Sequence, residues 1–160
     1  MTYKDIISKL NTEFGEDSFS ELANTTPKGI ELKTDHLVEV MTFLHNTEGL
    51  YFDSLSCLSG LDNGHEKNTM EVIYNLYSIP CNQHLTVKVT LNRQEPKIPS
   101  VEPIWKTADW QEREAYDMYG IIFEGHPDLR RILMPADWNG YPLRKDYEQQ
   151  EYYRGIKVEY

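Results

Sequence analysis

Two stretches of strict alternation most constrain the fold. Met70, Val72, Tyr74 and Leu76 recur at every second position, and Leu85, Val87, Val89 and Leu91 do so more cleanly. A period of two places each set on one face of a strand. Pro80 lies between them, at a turn. A third run alternates Leu55, Cys57 and Ser59 with Ser54, Ser56 and Leu58, ahead of Asp62-Asn63-Gly64. Asn-Gly between two strand-like runs predicts a hairpin with a longer loop. Three sequential strands of this kind need a second layer to cover their apolar face.

That layer is predicted from the amino-terminal third. Ile6, Ile7, Leu10 and Phe14 recur at spacings of three and four, so residues 2–14 read as an amphipathic helix stopped at Gly15. Gly29-Ile30-Glu31-Leu32 reads as a short strand. A second helix capped by Thr34 or Asp35 presents Leu37, Val40, Met41 and Leu44 and ends near Gly49. Pro96, Pro99 and Pro103 make residues 92–103 a turn-rich loop. A third helix is expected from about Ala108 to Tyr119, closed by Gly120. After it, Gly125, Pro127, Pro135, Gly140 and Pro142 break any regular pattern. The expected class is α+β: a mainly antiparallel or mixed sheet with amino-terminal helices packed on it, then a helix and an irregular carboxy-terminal segment. Residues 1–147 are expected to form a single domain, and 148–160 a short tail.

Charge narrows the function classes. A net charge of −10 and a pI near 4.9 argue against nucleic acid or an anionic bilayer as the main partner. Mean hydropathy of −0.61, with no apolar run near 18 residues, predicts no spanning helix, and MTYKDIISKL lacks the apolar stretch of a secretory signal. Cys57 and Cys81 stand alone on separate segments. They cannot ligate a four-cysteine cluster and read as buried reduced thiols of a cytoplasmic protein.

The distribution of charge says more than its sum. Four of the six arginines lie between Arg113 and Arg144, and all three tryptophans lie between Trp105 and Trp138. Arg and Trp together suit buried contact surfaces. On the third helix, Arg113 is four residues before Asp117, so the two are expected to pair across one turn. Glu112 and Glu114 are two apart, roughly 200° around a helix. They do not converge on one substrate atom, and read as a solvated face or as anchors to a neighbouring loop or chain. His126, followed by Pro127, reads mainly as a turn residue. No Gly-Xaa-Ser-Xaa-Gly elbow or phosphate-cradling glycine loop occurs.

The run EREAYDMYGIIFEGHPDLRRILMPADWNGYPLRKDY, residues 112–147, resembles the signature of the C subunit of NADH:quinone oxidoreductase, in the respiratory complex I family. Its pattern is met by Glu112, Arg113 and Glu114, then Asp117, then Met118 and Tyr119. His126, Arg130 and Ile132-Leu133 follow, and the closing element runs from Trp138 through Arg144, Lys145 and Asp146 to Tyr147. Two positions depart from it: Tyr141 stands where a His is common, and Glu148 where a Pro is usual. The resemblance implies a non-redox scaffold subunit of the hydrophilic arm. It implies no catalytic residue, cofactor site or metal site in this chain. Iron–sulfur clusters, FMN and quinone would belong to partner subunits, above all the quinone-site subunit. The chain would sit at the cytoplasmic face of the membrane through those partners, and weak self-association is expected when it is isolated. Glu112, Arg113, Glu114, Asp117, His126, Arg130, Arg131, Trp138, Arg144, Lys145 and Asp146 are the expected interface residues, dividing between internal pairing and the partner surface. A related membrane-bound hydrogenase, or a ferredoxin- or F420-type dehydrogenase, would use a similar subunit. A stand-alone hydrolase built on Glu112, Glu114 and His126 is the remote alternative.

Overall fold

The alternating runs pair as their period requires. A computed structural model describes residues 2–15, 17–23 and 25–158. In it β3 (Ser54–Asp62), β4 (Thr69–Ser78) and β5 (Gln83–Asn92) form an antiparallel meander. Met70 lies opposite Leu91, Val72 opposite Val89, Tyr74 opposite Val87 and Leu76 opposite Leu85. All eight are buried on one face. Each such apolar side chain contributes about 1.5–3 kcal/mol relative to exposure.

β2 (Gly29–Leu32) joins β5 in parallel, setting Ile30 beside Val87 and Leu32 beside Val89. β1 (Phe19–Leu22), in a stretch whose composition reads only as polar linker, pairs antiparallel with β2 at the edge. The sheet is mixed, in the order β1-β2-β5-β4-β3. α1 (Tyr3–Phe14) and α2 (Leu37–Asn46) bring Ile6, Leu10, Leu37, Val40, Met41 and Leu44 into the same core cluster. A single 3-10 turn, Thr34–His36, precedes α2. The opposite sheet face is polar, with Lys88 Nζ 3.0 Å from Glu31 and 3.7 Å from Glu71.

β3 departs from simple alternation. Its register shifts between Leu55 and Cys57, so Leu55 and Leu58 are both buried and Cys57 is exposed. The expectation of two buried thiols therefore fails at Cys57, because the bulge turns it outward. Cys81 is half-buried, its Sγ 3.3 Å from the Gly49 carbonyl.

α3 (Ala108–Tyr119) covers the β3 edge. Gln111 Oε1 accepts the Leu58 N–H, and Gly60 is hydrogen-sized by necessity: a Cβ there would lie 2.7 Å from Tyr119 Cδ2. Covering an edge removes a template for unwanted pairing. The proline-rich loop is partly regular. β6 (Lys97–Pro99) pairs in parallel with β7 (Ile122–Glu124), bracketing α3. Trp105 is buried and donates from Nε1 to the Phe52 carbonyl at 3.0 Å. Residues 125–151 contain no helix or strand. The tail is not featureless either. β8 (Tyr152–Tyr153) and β9 (Ile156–Lys157) form a hairpin whose two turn residues, Arg154 and Gly155, both have positive φ.

Candidate functional site

Residues 125–147 form an irregular strap, and charged side chains of α3 and the sheet hold it. Asp117 is the central anchor. Its carboxylate is fully buried. Oδ2 accepts three successive backbone N–H groups, from Ile132, Leu133 and Met134, at 3.1, 2.7 and 2.8 Å. Oδ1 accepts from Arg131 at 2.9 Å. Successive amides converging this way form an anion nest, here filled by the chain's own carboxylate. The expected Arg113–Asp117 pair does not form. Arg113 reaches past Asp117 to the carbonyls of Arg130 and Arg131, at 3.2 and 3.4 Å. Arg131 takes the acid because its guanidinium approaches with the loop that Asp117 binds.

Arg131 also donates to the Gly140 carbonyl at 2.9 Å, and its guanidinium lies 5.2 Å from the Tyr141 ring centroid. Arg144 lies 4.6 Å from the same centroid and donates to the Tyr119 carbonyl at 2.6 Å. Tyr141 thus supplies a π face for two cations. Gly120 sits beneath them at φ +75°. A Cβ there would meet Tyr141 at 2.6 Å and Arg144 at 2.8 Å, so both conformation and space require glycine. The Leu143 N–H donates to the Met118 carbonyl at 3.1 Å.

The far end of the strap is pinned by residues outside the signature. Arg93, at the end of β5, is buried and donates to Asp62 through Nε at 2.7 Å and Nη2 at 2.9 Å. The same Nη2 donates to Asp146, and Asp62 accepts the Lys145 N–H at 2.8 Å. Arg93, first, and then the backbone donors of Lys145 and Gly64 hold the Asp62 carboxyl well below the usual carboxylate range, against its desolvation. Sequence reasoning missed this pair. Arg93 had a visible signal as the first arginine, placed at a strand end. Asp62 had none, since Asp-Asn-Gly reads as a turn. Trp138 donates to the Tyr147 hydroxyl at 3.0 Å and packs on Tyr153, while Asp137 accepts from Tyr153 and Arg154. The tail hairpin therefore folds back onto the strap.

Glu112 is fully buried, not on a solvated face. It turns inward because the 97–103 segment covers that side of α3: Oε1 accepts the Val101 N–H at 2.8 Å and Oε2 lies 2.5 Å from Ser100 Oγ. The His126 ring is also buried. Its Nε2 is 3.1 Å from the Asp109 carbonyl and 3.9 Å from Glu112 Oε2, and its Nδ1 accepts the Asp128 N–H at 3.0 Å. Glu114 is on the outer side of the helix and does not join Glu112, so the two glutamates do not converge. Arg130 is exposed at its side chain and pairs with Asp128 two residues away. The Lys145 side chain reaches the Asn63 carbonyl at 3.4 Å and stays near the surface. The hollow between α3 and β3 measures about 130 Å³, below the usual size of a small-molecule pocket. Among the described residues, no cluster of three or more His, Cys, Asp or Glu side chains could hold a metal ion, and no helix is long and apolar enough to cross a membrane.

These contacts define an α+β domain in which an irregular strap is anchored by buried charges on one helix and one strand end. A profile of the respiratory-chain NADH dehydrogenase 30 kDa subunit matches residues 30–153, and the chain belongs to that family. It is 50% identical over 163 residues to the NADH-quinone oxidoreductase C subunit of Chloroherpeton thalassium, covering 100% of this chain and 65% of that protein. It is 46% identical to the protein of the same name from Chlorobium phaeobacteroides, covering 92% and 90% of the two chains. The chain thus spans about two thirds of one curated relative and most of the other. Among solved structures, it is similar to a trypsin-resistant fragment (1–134) of Nqo5, with TM-score 0.63 and 26% identity over 78% of this chain and 99% of that one. A chain of an archaeal membrane-bound sulfane sulfur reductase shares the fold, with TM-score 0.71 and 18% identity over 91% of this chain and 85% of that one.

Proposed function

We propose that the chain is a non-redox scaffold subunit in the hydrophilic arm of a proton-translocating NADH:quinone oxidoreductase. In this reading it keeps the quinone-site and cluster-bearing subunits in register while electrons pass from NADH to quinone. The iron–sulfur clusters, FMN and quinone belong to those partners. Through them the chain is held at the cytoplasmic face of the membrane. Residues 1–147 are the docking unit, and the tail secures the strap.

The observation that carries this reading is what still faces outward once the strap's charges have paired internally. Trp110, Leu133 and Leu143 are 69%, 62% and 52% exposed on elements held from beneath. A contiguous exposed apolar patch marks an interaction site; this reading takes the three side chains as parts of one, and family membership supplies the class of partner. Tagged chain recovered from native membranes should bring down cluster-bearing and quinone-site subunits, read by mass spectrometry. The Trp110→Glu/Leu133→Glu variant should lose them while keeping its circular dichroism and melting temperature. Recovery of the chain alone, or unchanged assembly of that folded variant, would refute the proposal. Flavin- and NADH-binding subunits in the pull-down support this complex; nickel–iron subunits would transfer the same scaffold role to a hydrogenase.

A further inference from the structure

The anchors of the strap are neutralised where they lie, but the group around Glu112 is not. Three elements close over this fully buried carboxyl. The 97–103 segment supplies the Val101 N–H and the Ser100 hydroxyl, and also Glu102, which pairs with the largely exposed Lys106 at 2.6 Å. The interior strand β4 supplies Tyr74, whose buried hydroxyl has no hydrogen-bond partner among the described residues and is held above its usual range by burial, then by Glu112. The turn after β7 supplies His126, and α3 itself adds Asp109, with Oδ1 3.3 Å from His126 Nε2.

Of these facing groups, His126 is the one whose two ring nitrogens both have hydrogen-bond partners. Nδ1 accepts the Asp128 N–H, so it keeps its lone pair, and the single ring proton sits on Nε2. One neutral N–H therefore faces the Asp109 carbonyl and two carboxyl groups.

We propose that Glu112 is a proton-binding site of the folded chain, carrying its proton on Oε2 toward Ser100 and releasing it to solvent. In the protonated state Glu112 donates to Ser100 Oγ, which also accepts the Glu102 N–H at 3.1 Å. When the proton leaves to solvent, the Ser100 hydroxyl donates back to the carboxylate. Burial, outweighing the Ser100 and Val101 hydrogen bonds, pushes the Glu112 carboxyl up to about 7. A carboxyl raised on folding stabilises the folded chain fully below the ordinary glutamate range of about 4.3, and that contribution is lost as pH rises through the folded value.

The test is a carbon-detected NMR titration of the glutamate carboxyls of the full chain from pH 4 to 9, with Glu112→Gln providing the assignment. One resonance should titrate with a midpoint at about 7 and vanish in the variant, and the Val101 amide, which donates to this carboxyl, should shift with the same midpoint. The glutamine side chain in Glu112→Gln keeps both hydrogen bonds, so the decline in stability expected of the parent between about pH 4 and 7 should be lost. A Glu112 midpoint below 5, or an unchanged decline in the variant, would overturn the proposal. If the variant does not fold, the parent titration alone decides. The outcome is independent of which complex the chain joins.

Discussion

Replacing Asp117 with Asn isolates the charge of the central anchor while preserving its shape. The amide oxygen can still face the N–H groups of Ile132, Leu133 and Met134. The amide NH2 then stands where Oδ1 accepted from Arg131, a donor against a donor. Arg131 is 13% exposed at its side chain, so it is left largely buried with carbonyl partners only. Removing one member of a buried pair costs about 3–5 kcal/mol. At about 2–4 °C per kcal/mol for a chain of this size, the melting temperature should fall by roughly 10 °C. Urea denaturation of the parent, Asp117→Asn, Arg131→Gln and the double variant gives the coupling, expected at about 1 kcal/mol or more. Hydrogen exchange should rise selectively at the amides of residues 132–134, because those bonds weaken first. A single variant within about 0.5 kcal/mol of the parent, with those three amides as protected as before, would refute the anchoring role.

Gly120→Ala should be costly despite adding one methyl: left-handed backbone costs a β-carbon residue about 1–2 kcal/mol, and the methyl would also displace Tyr141 and Arg144. Thermal melts would check it, and a loss under about 0.5 kcal/mol would contradict the tight approach. Arg93→Gln should destabilise by about 3–5 kcal/mol at pH 7 by stranding buried Asp62. The Asp62 carboxyl is depressed, so its contribution is present above about 3.9 and lost as pH falls toward the folded value. Urea midpoints from pH 7 down to about 1.5 should therefore show a shallower acid loss in Arg93→Gln, and an unchanged slope would count against the pairing. Trp105→Phe leaves the Phe52 carbonyl without its buried donor and should cost about 1–3 kcal/mol in the same assay.

What the sequence made legible follows from where periodicity exists. β4 and β5 announce themselves because one of their faces is wholly apolar, and register then follows from pairing buried residues with buried residues. β1 was illegible because Phe19–Leu22 is an edge strand of four residues, exposed or half-buried throughout. β6 and β7 are three residues each, too short to show a period. The Leu55/Cys57 bulge hid for a related reason: one extra residue inverts the face of everything before it. In the candidate site, the signature placed the right residues on α3 but not their partners. An i,i+4 rule predicted Arg113–Asp117, whereas Asp117 is claimed by a loop 14–17 residues further on. Asp62 and Arg93, 31 residues apart, meet only after the meander folds.

The crowding of arginine in the last third of an acidic chain has its cause in that loop. A strap without ladders leaves backbone groups that a folded chain must still satisfy. Guanidinium groups reach the carbonyls: Arg113 those of Arg130 and Arg131, Arg131 that of Gly140, and Arg144 that of Tyr119. Carboxylates reach the amides: Asp117 those of 132–134, Asp62 those of Gly64 and Lys145, and Glu112 that of Val101. Arg offers five donors in a rigid fork, which Lys cannot match, so it suits this work. Asp117 and Arg131, and Asp62 and Arg93, then neutralise one another while each also binds backbone or a second side chain. The signature charges are thus largely spent on shaping the strap. Trp110, Leu133 and Leu143 stay exposed on the helix and strap held this way.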